Sequence, residues 1–362
     1  MSRNTFRRLA SFAILIVSSG AIGCSEDTED FVEADLVSNT ADVARTTDPA
    51  LVNPWGLAAG PNTPFWVANN GTGTATVYDA NGTPQPAGDP LRVTFEPAGS
   101  AAPTGIVFNS TDAFAVTSGT MTANAVFIFV SEDGRISAWS PDVDPTSTVV
   151  VVDDADEGAI YKGVALATDA ERGPLLYVTN FSSGTVDVYD TGFEDVDDLG
   201  AEAFVDPNLP PGYAPFGIRA IGDRIWVTYA QQDEAREDDV PGPGNGFVSV
   251  FGTDGTYVRR FASGGPLNAP WGITPAPSAF LDDDDVILIG NFGDGRILAF
   301  DRSTGELIGP ISDTNGDPIA VEGLWAIEFG NGDLAGDRDV LFFTAGTDDE
   351  TGGLFGSITH QR

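Results

Sequence analysis

Six residues, each directly before a glycine, recur along the chain and together have the side-chain types of a small-molecule site. They are Trp55, Thr104, Lys162, Phe216, Trp271 and Glu322. Glycine at such positions allows neighbouring strands to approach closely. If the six residues lie in a ring, they form a cup with aromatic walls, one cation and one anion, which suits a small polar or zwitterionic ligand. The alternative is a plugged channel in which Lys162 and Glu322 are bridged or solvated.

Glu322 and three equally spaced asparagines are the candidate metal ligands. Asn69, Asn180 and Asn291 each end a β-rich segment and begin a turn. Amide and carboxylate oxygens are the ligands that calcium prefers. Asparagine is also favoured at turns, because its side chain caps the local backbone and tolerates positive φ, so a structural role is the alternative. The acidic runs at 153–157, 194–198 and 282–285 are weak calcium candidates.

Composition excludes most histidine and cysteine chemistry. His360 is the only histidine and Cys24 the only cysteine. A Ser-His-Asp triad, a cysteine–histidine pair and a zinc site of several histidines therefore have no candidates. The glycines are turn glycines, and none forms a phosphate loop between a strand and a helix.

A repeated unit must position these residues. Each of six copies after Asn53 has an opening Gly–apolar pair, a strand rich in β-branched and aromatic residues, and usually a turn and another strand. Copies of about 50 residues built from short strands are typical of a β-propeller. The β-rich strands of the copies are predicted to end at Asn69, Ser118, Asn180, Tyr229, Asn291 and Ala345. We therefore predict an all-β, six-bladed β-propeller with blades starting near residues 53, 103, 161, 214, 269 and 320.

The two chain ends are predicted to close the ring. The last copy ends at 354–358, which supplies its third strand and leaves little for a fourth. A strand near residues 35–40 would complete blade six, and closure would remove the unpaired edges of an open array of sheets. The propeller would then cover residues 35–362. Helices should be few, because no window has a long apolar period of 3.6 residues.

The first 24 residues are predicted to be a lipoprotein signal peptide rather than part of the fold. A basic region containing Arg3, Arg7 and Arg8 precedes an apolar stretch at 12–17, and the segment at 21–24 resembles a bacterial lipobox ending at Cys24. Lipidation of Cys24 would hold the domain at the cell envelope, at the outer membrane or cell surface, with residues 25–34 as an acidic tether. The alternative is an ordinary signal peptide with a stray cysteine.

The chain is strongly acidic, with 54 acidic and 17 basic residues. Such a surface repels nucleic acid and anionic lipid headgroups, so neither is an expected partner. The membrane contact expected is the lipid on Cys24 alone, and the propeller is expected to be a monomer.

Two resemblances add to this interpretation. The strand endings TVYD, DVYD and LAFD resemble those of NHL-repeat and senescence-marker/gluconolactonase propellers. The segments TDPALVNPWGLA (47–58), FWVANNGTGTATVYD (65–79), EGLWAIEFGNG (322–332) and LFFTAGTDDETGGLFGSI (341–358) are similar to a family of uncharacterised secreted bacterial propellers. The gluconolactonase resemblance implies a calcium ion held at the channel mouth by side chains that precede the opening glycines, with an aspartate as base. Glu322 matches that pattern, whereas Lys162, Phe216 and Trp271 depart from it.

Two functions follow. The favoured hypothesis is an extracytoplasmic, lipid-anchored binding or scaffolding module for a small polar ligand or a protein partner. The alternative is a calcium-assisted hydrolase or lyase of the gluconolactonase type, in which Glu322 is a metal ligand.

Overall fold

The computed structural model describes residues 30–96, 101–283 and 285–361. The predicted signal peptide, the lipidation site Cys24 and residues 25–29 of the predicted tether lie outside the described residues. The described chain is all-β, and its main sheets are six antiparallel blades. Their innermost strands contact one another in a closed cycle around a central channel, which confirms the predicted six-bladed propeller.

The strands follow one another blade by blade. Two strands, β1 (Asp30–Ser38) and β2 (Thr46–Thr47), precede the first complete blade. Blade one contains β3 (Pro54–Ala58), β4 (Phe65–Asn69), β5 (Thr74–Tyr78) and β6 (Arg92–Thr94). Blade two begins with β7 (Pro103–Phe108), continues through a separate hairpin of β8 (Ala115–Ser118) and β9 (Met121–Asn124), and ends with β10 (Phe127–Ser131), β11 (Arg135–Trp139) and β12 (Val149–Asp153). Blade three contains β13 (Tyr161–Asp169), β14 (Gly173–Asn180) and β15 (Thr185–Tyr189).

The second half of the chain continues the same order. Blade four contains β16 (Tyr213–Ile221), β17 (Arg224–Gln231), β18 (Gly246–Gly252) and β19 (Tyr257–Ser263). Blade five contains β20 (Pro270–Pro275), β21 (Val286–Asn291), β22 (Ile297–Asp301) and β23 (Leu307–Pro310). Blade six contains β24 (Leu324–Phe329), β25 (Val340–Ala345) and β26 (Leu354–Gln361). Within the described ranges the helices are α1 (Ser278–Leu281) and three 3-10 turns, Asn70–Thr72, Ala155–Glu157 and Asp197–Leu199. None of these is long and apolar enough to cross a membrane.

The N-terminal strand closes the ring as predicted. β1 pairs antiparallel with β26, and β2 lies outside β1, so blade six has the order β2-β1-β26-β25-β24. β1 begins at Asp30 rather than near residue 35, so residues 30–34 belong to the sheet and not to a tether. The reason is that Phe31 is buried and packs 4.7 Å from Phe280 and 5.1 Å from His360, ring centroid to ring centroid.

One predicted strand end was wrong. Ser118 lies in β8 of the exposed hairpin of blade two, not at the end of a blade strand. Its place is taken by Ser131, which pairs with Pro103 just as Asn69 pairs with Pro54. The equal spacing of Ser118 and Tyr229 was therefore incidental, because an inserted hairpin displaced the repeat in blade two.

Candidate functional site

Each innermost strand is irregular at the same point, near its start. Between the pairs Pro54↔Asn69 and Leu57↔Val67, for example, β3 has one residue more than its partner strand β4. The same irregularity recurs in all six blades. Such β-bulges re-aim side chains at functional sites. The bulged pairs are Trp55–Gly56, Thr104–Gly105, Lys162–Gly163, Phe216–Gly217, Trp271–Gly272 and Trp325–Ala326.

Five of the six predicted ring residues lie at these bulges, and the sixth does not. Trp325, not Glu322, occupies the ring position in blade six, because Leu324 pairs with Ala345 as Pro54 pairs with Asn69. A Cβ added to Gly272 would lie 2.7 Å from the carbonyl oxygen of Trp325, which places Trp325 beside blade five at the level of the glycines. Glu322 is an exposed residue of the loop before β24. The prediction failed because it aligned the wrong residue, Gly323, with the opening glycines.

Aromatic rings from the innermost strands, and from the turns after β14 and β21, close one end of the channel. We call Trp55, Trp271, Trp325, Phe216, Phe181 and Phe292 the aromatic plug. Trp325 is stacked between Trp55 and Phe292, with ring centroids 3.5 and 4.0 Å away. Trp271 packs edge-on against both tryptophans at 6.2 and 5.9 Å. Such stacked and edge-to-face contacts stabilise aromatic clusters. The indole N–H groups of Trp55 and Trp271 are buried and have no hydrogen-bond partner.

Thr104 has a structural role at this end of the channel. It is fully buried, and its hydroxyl donates to the carbonyl of Tyr161 at 2.8 Å, which ties blade two to blade three. The Thr344 hydroxyl donates in the same way to the carbonyl of Trp55, at 2.6 Å. Thr104 therefore joins blades rather than facing a ligand.

Lys162 is the central charged group of the site. Its side chain is only 1% exposed, and its Nζ lies 2.5 Å from Glu132 Oε1 and 3.4 Å from Asp238 Oδ1. The same ammonium lies 5.1 Å from the centre of the Trp55 ring and 5.6 Å from that of Phe181. Two carboxylates and two ring faces thus surround the ammonium group.

Two further carboxyl groups lie near this lysine and carry perturbed pKa values. Burial, together with the negative charges of Glu350 and Asp238, raises the pKa of Asp239 to about 7 against the attraction of Lys162. Burial also raises the pKa of Glu350, with smaller contributions from Glu132 and Asp238. One oxygen of Asp239 is buried without a hydrogen-bond partner. We call Glu132, Asp238, Asp239 and Glu350 the mouth carboxylates.

Asn53 connects the carboxylates to the plug. Its Nδ2 donates to Glu350 at 2.6 Å, and its Oδ1 accepts from the indole N–H of Trp325 at 3.0 Å. Asn70 lies next to it and donates to Glu132 at 2.8 Å. Glu350 is the last of three consecutive non-glycine residues, 348–350, with φ between 52° and 65°. Backbone in this left-handed region is uncommon for such residues and is concentrated at functional sites.

The structure does not bring the predicted metal ligands together. Asn180 Oδ1 accepts from the backbone N–H of Ile160, and Asn291 Oδ1 accepts from that of Asn268, so each side chain holds the loop that enters its own blade. Asn69 Nδ2 donates to Thr76 at 3.0 Å. Glu322 lies exposed in blade six. In the described part of the chain no group of three or more acidic, histidine or cysteine side chains has the geometry to hold a metal ion.

Sequence reasoning missed the mouth carboxylates, although their positions follow from the topology. In an antiparallel blade the second strand ends where the first begins, so the loop after the second strand lies at the same end of the channel. Glu132 follows β10, Asp238 and Asp239 follow β17, and Glu350 follows β25. The mouth carboxylates could therefore have been found as the acidic residues that follow second strands. The inserted hairpin of blade two, which displaces the repeat there, obscured this pattern.

Comparisons with known proteins agree with this architecture. No family model matches the chain. Solved structures share the fold at low identity: a streptogramin B lyase (TM-score 0.52, 12% identity, 92% of this chain and 98% of that one) and the apo soluble aldose sugar dehydrogenase of Escherichia coli (0.54, 11%, 91% and 100%). A catalytically inactive virginiamycin B lyase from Staphylococcus aureus with quinupristin is similar to the same degree (0.52, 14%, 92% and 100%).

Two proteins of Acanthamoeba polyphaga mimivirus are similar in sequence. The uncharacterised protein R648 is 38% identical over 330 residues, which cover 89% of this chain and 78% of R648. The uncharacterised protein L690 is 33% identical over 331 residues, which cover 89% of this chain and 84% of L690. These relatives are viral and do not support the expected placement among secreted bacterial proteins. At this identity and coverage, the chain belongs to the family of six-bladed β-propellers that includes the mimivirus proteins R648 and L690.

Proposed function

We propose that this propeller is a binding module whose ligand is a small organic cation or zwitterion, held at the channel mouth beside Lys162. The observation that carries the proposal is the excess of negative charge around that single lysine. Four carboxyl groups share one ammonium, and the pKa of Asp239 is raised to about 7. A ligand ammonium or guanidinium would relieve this repulsion. It would also give the unpartnered oxygen of Asp239 a hydrogen-bond donor.

The aromatic plug gives such a site a rigid floor. The rings of Trp55, Trp325 and Phe292 form one stack, so a ligand would bind above the stack and not pass through the channel. Aromatic faces also attract cations, as the position of Lys162 over Trp55 illustrates. A preformed floor supports affinity because little order has to be gained on binding.

Calorimetric titration of the purified protein tests the proposal. The probes are putrescine and glycine betaine, with succinate as an anionic control. We expect binding of the cation putrescine and of the zwitterion glycine betaine, and none of succinate. Because a bound cation favours ionised Asp239, binding near neutral pH should release protons, which appears as a dependence of the measured enthalpy on the buffer's ionisation enthalpy.

Matched variants decide whether the binding occurs at this site. Asp239→Asn and Glu350→Gln should each weaken the binding of putrescine. Asp349→Asn changes an exposed residue next to Glu350 and should leave the affinity for putrescine unchanged. Equal affinity in all three variants would contradict the proposed site. Binding of succinate as tight as that of putrescine would contradict the proposed ligand class.

Catalysis is the second candidate function, and Asp239 is the observation that favours it. A carboxyl group with a pKa near 7 is suited to general acid–base chemistry at neutral pH, and it lies beside a lysine that could stabilise a developing negative charge. Of the fold neighbours, two are lyases by name, which motivates a screen for elimination and lactone hydrolysis. Loss of an activity in Asp239→Asn, but not in Glu322→Gln, would support this function. Melting curves in EDTA and in calcium test the calcium requirement, and identical curves would contradict a resident calcium ion.

The lipid anchor is a separate part of the proposal. It is supported by the apolar stretch that ends at Cys24, the only cysteine of the chain. Expression in a bacterium with labelled palmitate should transfer label to the protein and place it in the envelope fraction. A Cys24→Ala variant that retains both label and location would contradict it.

A further inference from the structure

The central channel has a second compartment on the far side of the aromatic plug. It is a cavity of about 280 Å³, near the lower end of the range for small-molecule pockets. Its lining includes Trp271 of the plug, but neither Lys162 nor any of the mouth carboxylates. The plug therefore divides the channel into two chemically different halves.

The walls of this compartment are supplied by every blade and expose polar and apolar surface in about equal parts. One aliphatic side chain follows each bulge: Leu57, Ile106, Val164, Ile218, Ile273 and Ile327. At the next position blades one, two and three have the uncharged residues Ala58, Val107 and Ala165, whereas blades four and six have Arg219 and Glu328. The compartment thus combines an apolar ring with one pair of opposite charges.

Arg219 and Glu328 face each other across the channel. Nη1 donates to Glu328 Oε2 at 2.6 Å, and Nη2 donates to Oε1 at 2.8 Å, so the carboxylate occupies the end of the guanidinium. The two side chains remain 30% and 21% exposed, so solvent reaches them through the cavity. A guanidinium has five N–H donors, and in this geometry the edge formed by Nε and one Nη has no acceptor other than Glu328 among the described residues. A second carboxylate fits that edge in a bidentate manner.

We infer that this compartment binds a small amphipathic carboxylate. Its head group takes the free edge of Arg219, and its apolar part lies against the aliphatic ring. Glu328 holds the guanidinium in place and, being negative, also limits the affinity for the anion. A pair that served only to connect blades four and six would not need an apolar cavity beside it, nor would it respond to a ligand.

Hexanoate is the probe that tests this inference, with hexanol and hexylamine as matched controls. Binding is followed by tryptophan fluorescence, since Trp271 lines the cavity, and by calorimetry. Arg219→Lys keeps a cation for Glu328 but removes the Nε–Nη edge of the guanidinium. It should therefore weaken the binding of hexanoate roughly tenfold or more, as expected for the loss of charge-assisted hydrogen bonds. Glu328→Gln removes the competing negative charge and should tighten binding. Asp349→Asn, which changes an exposed side chain in the loop next to Glu350, should have no effect.

The opposite results would overturn the inference. Equal binding of hexanoate, hexanol and hexylamine would show an apolar cavity in which the guanidinium recognises nothing. No binding of any probe, together with lower thermal stability of both Arg219→Lys and Glu328→Gln, would show a purely structural ion pair. Because hexanoate and the substitutions at Arg219 and Glu328 differ from the probes and test variants used at the mouth, failure here leaves the proposed cation site untouched, and the reverse is also true.

Discussion

Replacing Asp239 by asparagine should stabilise the propeller, and the gain should depend on pH. The pKa of this carboxyl rises from 3.8 to about 7 in the folded protein, mainly through burial. Each unit by which the folded pKa exceeds the unfolded one corresponds to about 1.4 kcal/mol. Ionised Asp239 therefore destabilises the folded state by about 4 kcal/mol at high pH. Asparagine has nearly the same shape and carries no charge, so it removes this penalty.

The pH window follows from the direction of the shift. Below pH 3.8 the carboxyl is protonated in both states and the penalty is absent. As the pH rises from 3.8 to about 7 the unfolded chain ionises first, so the penalty grows, and above about 7 it is constant. Urea unfolding of the wild type and Asp239→Asn should therefore differ by about 4 kcal/mol near pH 9, and by less than half of that near pH 5. Asp349→Asn, which changes an exposed side chain, is the control and should track the wild type.

One result would refute this reasoning. If Asp239→Asn and the wild type unfold at the same urea concentration at both pH values, the ionised carboxylate is satisfied in the folded protein. The excess of negative charge on which the proposed cation site depends would then be absent. A gain of stability accompanied by loss of putrescine binding would instead show that the same carboxylate destabilises the fold and binds the ligand.

Three further predictions concern the same end of the channel. Lys162→Met should lower the free energy of unfolding by about 2 kcal/mol, because it leaves the half-buried Glu132 without its cation, whereas Asp238, which is 74% exposed, loses little. An unchanged urea midpoint would contradict a stabilising contact between Lys162 and Glu132. Since Lys162 is the only lysine and is 1% exposed, amine acylation followed by peptide mass spectrometry should modify it in the unfolded protein and spare it in the native one. Rapid native labelling would show an open site. Trp325→Ala should lower the free energy of unfolding by about 3 kcal/mol or more, because it removes the central ring of the plug. Glu322→Gln changes an exposed residue and should leave the melting temperature unchanged. Equal effects of these two substitutions would contradict the assignment of Trp325, rather than Glu322, to the ring position of blade six.

The sequence was informative about the architecture because the repeat is local. Short β-rich strands recur with turns between them, and every blade must form the same antiparallel meander. The closing strand could also be predicted, since the last copy is one strand short and an open edge is unfavourable. Its true start at Asp30 could not be read from composition. The acidic residues around Phe31 suggested a tether, whereas Phe31 itself packs in the sheet.

The site was harder to predict because its members come from different blades. Trp55, Thr104, Lys162, Phe216 and Trp271 could be aligned through the glycines that follow them. Blade six has alanine at that position, so the glycine pattern indicated Glu322 instead of Trp325. The inserted hairpin of blade two had a similar effect on Ser118, since a repeat is aligned by distance along the chain.

The amino-acid sequence by itself determined the propeller and its six inner strands. It also showed that Lys162 shares its position in the repeat with the aromatic residues Trp55, Phe216 and Trp271. The tertiary structure alone decided which charges meet. Glu132, Asp239 and Glu350 are far apart in the sequence and share one ammonium only because three blades place their loops at the same mouth. Arg219 and Glu328 likewise meet across the channel from blades four and six. Hydrogen bonding within a blade depends on neighbouring segments of chain, whereas electrostatic contacts in the channel depend on ring closure.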